Sequence, residues 1–330
     1  DYIDTHRPGF QQTEKPQFVF ASKNNRFSFS MGGFVALRAG YDFDGIVDNI
    51  DFVPYDIPVP GNYNSKQKLM MDASTSRLFL KAITNTRALG RVVIYMDADF
   101  NFATLIRYEV SFARRHMTFG VAAELPSVSA TYGENFKPIH QRVPDFPMYL
   151  QYAWGADRSS HLRASAVLRN PYMYKVSKDA TTSLFGWGVQ LSGTIKCCDW
   201  FRMFMNGVYG KGITPYIQDL TGSGLDFTPN PADPTLVRMM PMWGVQAAGQ
   251  INFTPRLFVS GGYSTVRVQR SEGYYTADQY KQGQYIFGNI FYSLTPRCKV
   301  AAEYLYGSRK DMNSMKNHAN RVNVMVQYNF

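Results

Sequence analysis

The sequence predicts an all-β protein, a transmembrane antiparallel β-barrel of about 16 strands (14–18). Two observations lead to this prediction. Apolar residues recur at every second position over long segments, and short and long links alternate between those segments. No stretch of about 18 uninterrupted apolar residues occurs, which excludes a membrane-spanning helix. Alternating strands escape that test because only half of their residues are apolar.

The clearest alternation lies near the start of the chain. Every odd-numbered residue from Phe27 to Tyr41 is apolar or Gly, whereas Arg38 and Asp42 occupy even positions. Comparable segments are 91–100, 106–112, 161–169, 299–306 and 321–330. Weaker segments lie near 77–83, 116–121, 148–154, 184–192, 201–208, 242–250, 257–264 and 284–293. These segments number about fourteen, and at roughly 20 residues per strand and link the chain has room for about sixteen.

The links between segments predict how the barrel is oriented. Short links are 113–115, 155–160, 195–199, 252–256 and 294–298, and long ones are about 44–72, 122–147, 170–182, 209–238, 265–283 and 307–319. Outer-membrane barrels have short periplasmic turns and long extracellular loops. Aromatic residues such as Tyr41, Trp154 and Tyr306 end several strands, as expected at membrane interfaces. We expect a periplasmic segment at 1–24 and a single barrel domain at 25–330.

Composition narrows the possible partners. The 35 Lys and Arg against 25 Asp and Glu give a formal net charge of +10, which attracts anions. The charged residues alternate with apolar ones and form no basic patch with a DNA- or RNA-reading motif, so we expect no nucleic-acid partner. A chain that starts at Asp1 without Met is expected to be a mature exported protein, located in the outer membrane of a Gram-negative bacterium.

If the apolar register faces lipid, the opposite register lines the lumen. That register holds the cations Arg26, Arg38, Arg77, Lys81, Arg91, Arg107, Arg163, Arg169, Arg202, Lys299 and Arg321. It also holds the acids Asp42, Asp97, Asp99, Glu109 and Glu303. Rings of Arg and Lys select anions, and a guanidinium binds carboxylate or phosphate at two points. The alternative is that some cations pair with the acids to stiffen the wall, or meet lipopolysaccharide at the rim.

The link 122–147 is the predicted constriction. It carries Ser127, Tyr132, Lys137 and Arg142, and a long loop after an early strand commonly folds into the lumen. The alternative places this loop on the outer surface. The link also contains His140.

Other site types find little support. The aspartates Asp42, Asp44, Asp48 and Asp51 lack the EF-hand spacing, so a solvated loop is favoured over a calcium site. Cys197 and Cys198 are expected about 20 Å from Cys298, beyond the disulfide reach of about 7 Å, and are predicted to be free thiols. We expect no metal and no cofactor.

The segments resemble the DcaP-like outer-membrane porin family. The matching runs are KNNRFSFSMGGFVALRAGYDF, STSRLFLKAITNTRALGRVVIYMDADFN, LIRYEVSFARRHMTFG, RASAVLRN, FGWGVQLSGTIK and EYLYGSRK…HANRVNVMVQYNF, which follow one another along nearly the whole chain. Ser76–Arg77–Leu78 and Asn320–Arg321 are the most specific positions. The resemblance implies a homotrimer of sixteen-stranded barrels that passes small anionic, often dicarboxylic, solutes. It also implies lumenal positions for Arg77, Arg107, Arg163 and Arg321.

The sequence therefore predicts a passive outer-membrane porin that prefers anions, with small anionic solutes, membrane lipid and lipopolysaccharide as partners. A barrel enzyme is the first alternative, for which five histidines are available: His6, His116, His140, His161 and His318. Ser159 and His161 share a strand face, but they lie at a predicted turn without an orienting carboxylate, so we expect no enzyme. The second alternative is a non-conducting structural or adhesion barrel, or a scaffold for another envelope protein.

Overall fold

The computed structural model describes residues 18–22, 27–44, 52–61, 68–73, 76–86, 90–98, 105–113, 116–155, 158–271 and 273–329. One 16-stranded antiparallel sheet forms the wall. Its strands are β1 (Phe18–Ala21), β2 (Phe27–Asp44), β3 (Lys68–Asp72), β4 (Arg77–Thr86), β5 (Gly90–Ala98), β6 (Leu105–Phe112), β7 (Met117–Glu124), β9 (Phe146–Trp154), β10 (Ser160–Arg169), β13 (Gly186–Lys196), β14 (Phe201–Lys211), β17 (Pro241–Thr254), β18 (Leu257–Val268), β19 (Tyr280–Ser293), β20 (Cys298–Asp311) and β21 (Lys316–Asn329).

Strand β2 organises the start and end of the chain. Its one edge pairs with β4 and β3 in succession, and its other edge pairs with β1 and β21. The described wall therefore has fourteen strand positions in the order β5-β4-β2-β21-β20-β19-β18-β17-β14-β13-β10-β9-β7-β6. Strand β5 lies beside β6, which brings the two ends of the sheet together as a barrel.

The alternation predicted from the sequence is the alternation of the wall. Along β21, Val322, Val324 and Val326 are exposed on the outside, whereas Arg321 and Asn323 are buried on the inside. Along β13, Val189 and Leu191 are likewise exposed, at 48% and 55%. A soluble protein does not expose an apolar band around its whole circumference, so this outer face is the lipid-facing surface of a transmembrane barrel.

Short turns and long loops lie at opposite ends of the wall. The turns after β13, β17 and β19 lie at the end where β21 finishes, and the long connections lie at the other end. Three loop strands, β8 (Phe136–Pro138), β11 (Tyr172–Lys175) and β12 (Ala180–Ser183), form a small sheet in the connections at the long-loop end. Two others, β15 (Phe227–Pro229) and β16 (Val237–Met239), form a hairpin. Short 3-10 helices lie at Pro54–Asp56, Val176–Lys178, Thr214–Tyr216 and Gln218–Leu220.

Among the described residues, no helix has the length and apolar character needed to cross a membrane. Strand β1 falls within the predicted segment 1–24 and pairs with β2. Residues 1–17 lie outside the described residues, and the division into 1–24 and 25–330 stays a prediction.

Candidate solute pathway

An inner strap, residues 212–225 of the loop between β14 and β17, enters the lumen. Its apolar side chains Ile213, Ile217 and Leu220 are buried and belong to one cluster with residues of the inner wall. The wall contributes Val167 and Met242 to that cluster. An apolar loop that finds an apolar patch inside a barrel is held there by the burial of both surfaces.

Glycines in the wall make room for the inner strap. A Cβ built on Gly188 would lie 3.0 Å from Ile213 Cγ2, and one on Gly210 would lie 2.8 Å from Ile213 Cδ1. A Cβ on Gly283 of β19 would lie 2.6 Å from Asp219 Oδ2. The inner strap therefore approaches the wall closely at glycines, because these positions have no side chain in its way.

A second strap, residues 52–58, comes from the loop between β2 and β3. Ile57 is fully buried against Ala319 of β21, and Phe52 packs beside them. Two wall side chains hold its backbone: Arg309 Nη1 donates to the Tyr55 carbonyl at 2.5 Å, and Asn317 Nδ2 donates to the Pro58 carbonyl at 2.7 Å. The described part of this loop thus lies along the inner wall.

The two straps meet at Asp219. The backbone N–H of Tyr55 donates to Asp219 Oδ1 at 3.1 Å, and the Tyr280 hydroxyl donates to Asp219 Oδ2. The Tyr55 hydroxyl donates to the Ser223 carbonyl at 3.0 Å. Burial raises the pKa of Asp219 to about 6, opposed by these hydrogen bonds to its charged form. A titratable carboxyl therefore joins the second strap, the inner strap and the wall.

Two cavities lie in the lumen beside the inner strap. The larger, about 420 Å³, is lined by both straps, by inward residues of β14 and β17–β21, and by Arg38. The smaller, about 240 Å³, is lined by residues of β7, β9, β10, β13 and β14 and by the strap residues Ile213 and Tyr216. Because Tyr216 lines both cavities, the strap divides this level of the lumen.

Two carboxylates hold the Tyr216 side chain in place. Its hydroxyl lies 3.0 Å from Glu124 Oε2 and 3.2 Å from Asp145 Oδ2. Burial and these two carboxylates raise the pKa of Tyr216 above its ordinary value, so the phenol stays protonated and donates. Tyr216 is therefore held in one position between the two cavities.

Arg163 lines the smaller cavity. Its Nε and Nη2 atoms donate to Gln151 Oε1 at 3.0 and 2.6 Å, and its guanidinium carbon lies 4.3 Å from the centre of the Tyr149 ring. The Tyr149 hydroxyl in turn donates to Glu109 at 2.6 Å. Stacking and hydrogen bonding fix the orientation of the guanidinium, so its positive charge has a fixed position at the smaller cavity.

The lumenal carboxylate Glu303 serves as a hydrogen-bond acceptor. Glu303, in the larger cavity with Arg38, accepts from Asn289 Nδ2 at 3.3 Å and from Asn323 Nδ2 at 3.2 Å. Arg202 pairs in register with Gln250 on the inward face, closer to the short turns, and Lys299 pairs with Gln327. Among these side chains, the cations Arg38 and Arg163 are the ones placed beside the cavities.

Arg169 and Arg321 differ from the expectation of solute-facing arginines. Both occupy lumenal register positions, but their side chains are fully buried in ion pairs. Arg321 Nε lies 2.5 Å from Asp42 Oδ1, and Arg169 Nε lies 2.8 Å from Asp145 Oδ2. Arg169 Nη1 donates to the Gly212 carbonyl of the inner strap at 2.6 Å and lies 3.1 Å from Oδ1 of Asp226, the residue that follows the strap, so it ties the strap to the wall. Their partners hold these arginines within the protein, so we assign Arg169 to loop anchoring and Arg321 to the joining of β2 with β21.

For another group of predicted lumenal residues the structure describes the backbone register alone. Strand pairing puts Lys81 opposite Ser30, Arg77 opposite Phe34 and Arg107 opposite Ala122, all on the inward register. Asp97 pairs with Phe79, and Arg91 with Asn85, on the same register. Arg26 and Asp99 lie outside the described residues.

The predicted constriction residues lie in the connection between β7 and β9. It packs with the small sheet β8-β11-β12 and the hairpin β15-β16, and we call these three parts together the loop cap. Arg169 Nη2 donates to the Ser127 carbonyl, and the Tyr132 ring packs edge-on against Phe227. Lys137 and Arg142 are exposed, and Arg142 Nη2 donates to Thr181 Oγ1 at 3.1 Å. None of the four lines either cavity. Link 122–147 instead buries Phe136 against Met173 and Phe227, while the more apolar inner strap takes the lumenal position.

The other predicted features are placed as follows. Cys197, Cys198 and Cys298 are free thiols. Asp42 is buried against Arg321, and Asp48 and Asp51 lie outside the described residues. The described residues contain no cluster of three His, Cys, Asp or Glu side chains that would bind a metal.

No protein-family model and no curated protein matches the chain by sequence. Its structure is similar to the outer membrane channel DcaP of Acinetobacter baumannii, with 20% identity, a TM-score of 0.72 and coverage of 94% of this chain and 99% of that chain. It is also similar to outer-membrane expressed OmpT of Vibrio cholerae (10% identity, TM-score 0.51, coverage 95% and 100%). Salmonella typhi OmpF, solved with daunomycin, is a third (10% identity, TM-score 0.50, coverage 94% and 100%). With its apolar outer wall, the chain therefore has the fold of the porins and channels of the outer membrane.

Proposed function

We propose that the chain is a passive porin that prefers small anionic solutes, dicarboxylates among them. The observation that carries this proposal is Arg163, which is fixed on the Tyr149 ring at the smaller cavity. A guanidinium held in this way lowers the electrostatic barrier for an anion, and its charge attracts a carboxylate. Passage follows the concentration gradient, and no catalytic step is part of the proposal.

The inner strap sets the size limit in this proposal. Tyr216 and the residues 216–219 narrow the lumen from one side, and residues 52–54 narrow it from another. Arg38 then stands in the larger cavity and Arg163 in the smaller one. A solute with two carboxylates meets one guanidinium in each cavity.

The test is current block by a dicarboxylate such as succinate in single channels. Arg163→Gln and Arg38→Gln are each expected to weaken block about tenfold, since a hydrogen bond to a charged group contributes about 1.5–3 kcal/mol. Arg142→Gln, in the loop cap, is the matched control and should leave block unchanged. Equal block in all three variants refutes a role for the lumenal arginines, and a folded barrel without conductance favours the non-conducting scaffold.

Homotrimer assembly is part of the same proposal and rests on the family resemblance in the sequence. The mass of the detergent-solubilised protein, measured by native mass spectrometry, tests it. Three chains per particle support the trimer, and one chain per particle at all detergent concentrations contradicts it.

A further inference from the structure

A row of uncharged side chains crosses the wall of the larger cavity. Strand pairing aligns Asn206 of β14 with Gln246 of β17, and Gln246 with Ser264 of β18. The next residue in the row is Tyr285 of β19, which pairs with Ser264. All four line the larger cavity, and the row spans three strand spacings, about 14 Å. We call these four residues the cavity row.

The cavity row keeps hydrogen-bonding capacity for a ligand. Gln190 Nε2 donates to Asn206 Oδ1 at 2.9 Å, which leaves the N–H groups of the Asn206 amide available. The Gln246 amide and the Ser264 hydroxyl make no hydrogen bond to another described residue. Gln246 is exposed within the lumen, and Ser264 is half-buried. Amides and hydroxyls both donate and accept, so the row offers donors and acceptors side by side without a charge.

Aromatic rings continue from the cavity row towards the short turns. The centre of the Tyr285 ring lies 5.8 Å from that of Phe52, in the second strap, and 5.9 Å from that of Phe287. Further along the inward face of β19, Phe291 stacks on Phe258 of β18 with ring centres 4.7 Å apart. All five rings are half-buried, so part of each remains accessible. We call these five rings the aromatic track.

The wall of the larger cavity carries charges of both signs. Its charged residues, among those that the structure describes, are Arg38, Asp219 and Glu303. Both carboxylates already accept hydrogen bonds from the protein, Asp219 from Tyr280 and Glu303 from Asn289. Such a wall selects for the hydrogen-bonding groups of a solute more than for the sign of its charge.

A sugar ring has the two features that this arrangement matches. Its C–H groups form a flat apolar face that packs on an aromatic ring, and its hydroxyls lie at the edge, where each donates and accepts. Tyr285 and Phe52 supply ring faces, and Gln246 and Ser264 supply hydrogen-bonding partners in the same row. The cavity of about 420 Å³ lies within the range of about 300–1,000 Å³ for small-molecule sites.

We propose that the larger cavity binds neutral sugars in transit, with the Tyr285 ring against the sugar face and the Gln246 and Ser264 side chains on its hydroxyls. The aromatic track then guides the sugar from the cavity towards the short turns by successive ring contacts. This site adds a second solute class to the anions proposed above. It shares with the anion proposal only the open lumen.

The experiment measures block of the current through single channels of the full chain by maltose. Saturable block is expected in the unchanged protein. Tyr285→Ala should weaken block about three- to tenfold through the loss of a ring contact, whereas Tyr285→Phe should retain it. Gln246→Ala should weaken block by a similar factor, because a hydrogen bond is lost.

Tyr263→Ala is the matched control. It removes an exposed ring from the outer face of β18 and should leave maltose block unchanged. Open-channel current in each variant, measured before sugar is added, shows that the barrel has folded. Succinate block in the same channels tests the anion proposal separately, because Arg163 lies at the smaller cavity.

Three outcomes overturn the sugar proposal. Maltose without saturable block in the unchanged protein shows that the lumen has no sugar site. Equal block in Tyr285→Ala and the unchanged protein places the sugar away from the cavity row. Equal block by mannitol, a linear polyol without a ring face, shows that hydroxyl groups suffice and that the aromatic track takes no part.

Discussion

Replacing Arg169 with Met is expected to release the inner strap while leaving the barrel wall intact. The Arg169 guanidinium donates to Asp145 at 2.8 Å, to Asp226 at 3.1 Å and to the Gly212 carbonyl at 2.6 Å. Methionine fills a similar volume but supplies none of these hydrogen bonds. Two buried carboxylates then remain without their cation, and burial already raises the pKa of Asp145.

The cost follows from the burial of the pair. Both Arg169 and Asp226 side chains have no exposed surface, and Asp145 has 3%. Removing one partner of such a pair costs about 3–5 kcal/mol. The substitution leaves the hydrogen bonds between the wall strands in place. The free-energy cost therefore applies to the closing of the inner strap. That corresponds to an increase of about two to three and a half orders of magnitude in the open fraction.

Limited proteolysis of the folded protein in detergent measures this open fraction. When opening and closing are faster than cleavage, the cleavage rate within 212–240 follows the open fraction and should rise by about the same factor. Arg142→Met, which removes an exposed arginine of the loop cap, should change the rate by a few-fold at most. If the Arg169→Met protein is cleaved as slowly as the unchanged protein, the anchoring role of the ion pairs is refuted.

Three further predictions concern the straps. Because burial raises the pKa of Asp219 from 3.8 to about 6, the folded state binds a proton more tightly than the unfolded state. Strap stability should therefore be highest below about pH 4 and fall as the pH rises to about 6. Asp219→Asn should remove this dependence, and an unchanged pH profile of proteolysis in that variant contradicts the assignment. Gly283→Ala should displace Asp219 and increase open-channel noise, whereas the added Cβ of Gly207→Ala meets nothing within 4 Å and should leave the noise unchanged. Ile213→Ala should destabilise the inner strap by about 2–5 kcal/mol, measured by proteolysis, and a loss below about 1 kcal/mol argues against its seating in the wall.

The wall was predictable from the sequence because its rule is local. A period of two assigns each residue to one face, and the outward position of Val324 and the inward position of Arg163 both follow from it. The strand positions around the wall were harder to count, because β1 and β3 share the edges of β2 with β21 and β4. No local pattern in the sequence indicates that two strands pair with the same edge of β2.

The strap positions and the buried ion pairs depend on contacts between distant residues. Arg169 and Arg163 look alike in the sequence, and only the approach of Asp226, 57 residues further along, buries the former. Link 122–147 and link 209–238 are both long and mixed in composition. One signal in the sequence does separate them: Ile213, Ile217 and Leu220 recur in the second link, and glycines such as Gly188 and Gly210 occupy inward positions of adjacent strands.

The zero-current potential of the purified protein in a planar bilayer under a KCl gradient tests the central claim most directly. An anion-selective lumen gives a potential of the sign set by chloride, and Arg163→Glu should move that potential towards zero, whereas Arg142→Glu should not. A potential of the sign set by potassium in the unchanged protein would contradict the claim, because the lumenal carboxylates would then govern the narrow region.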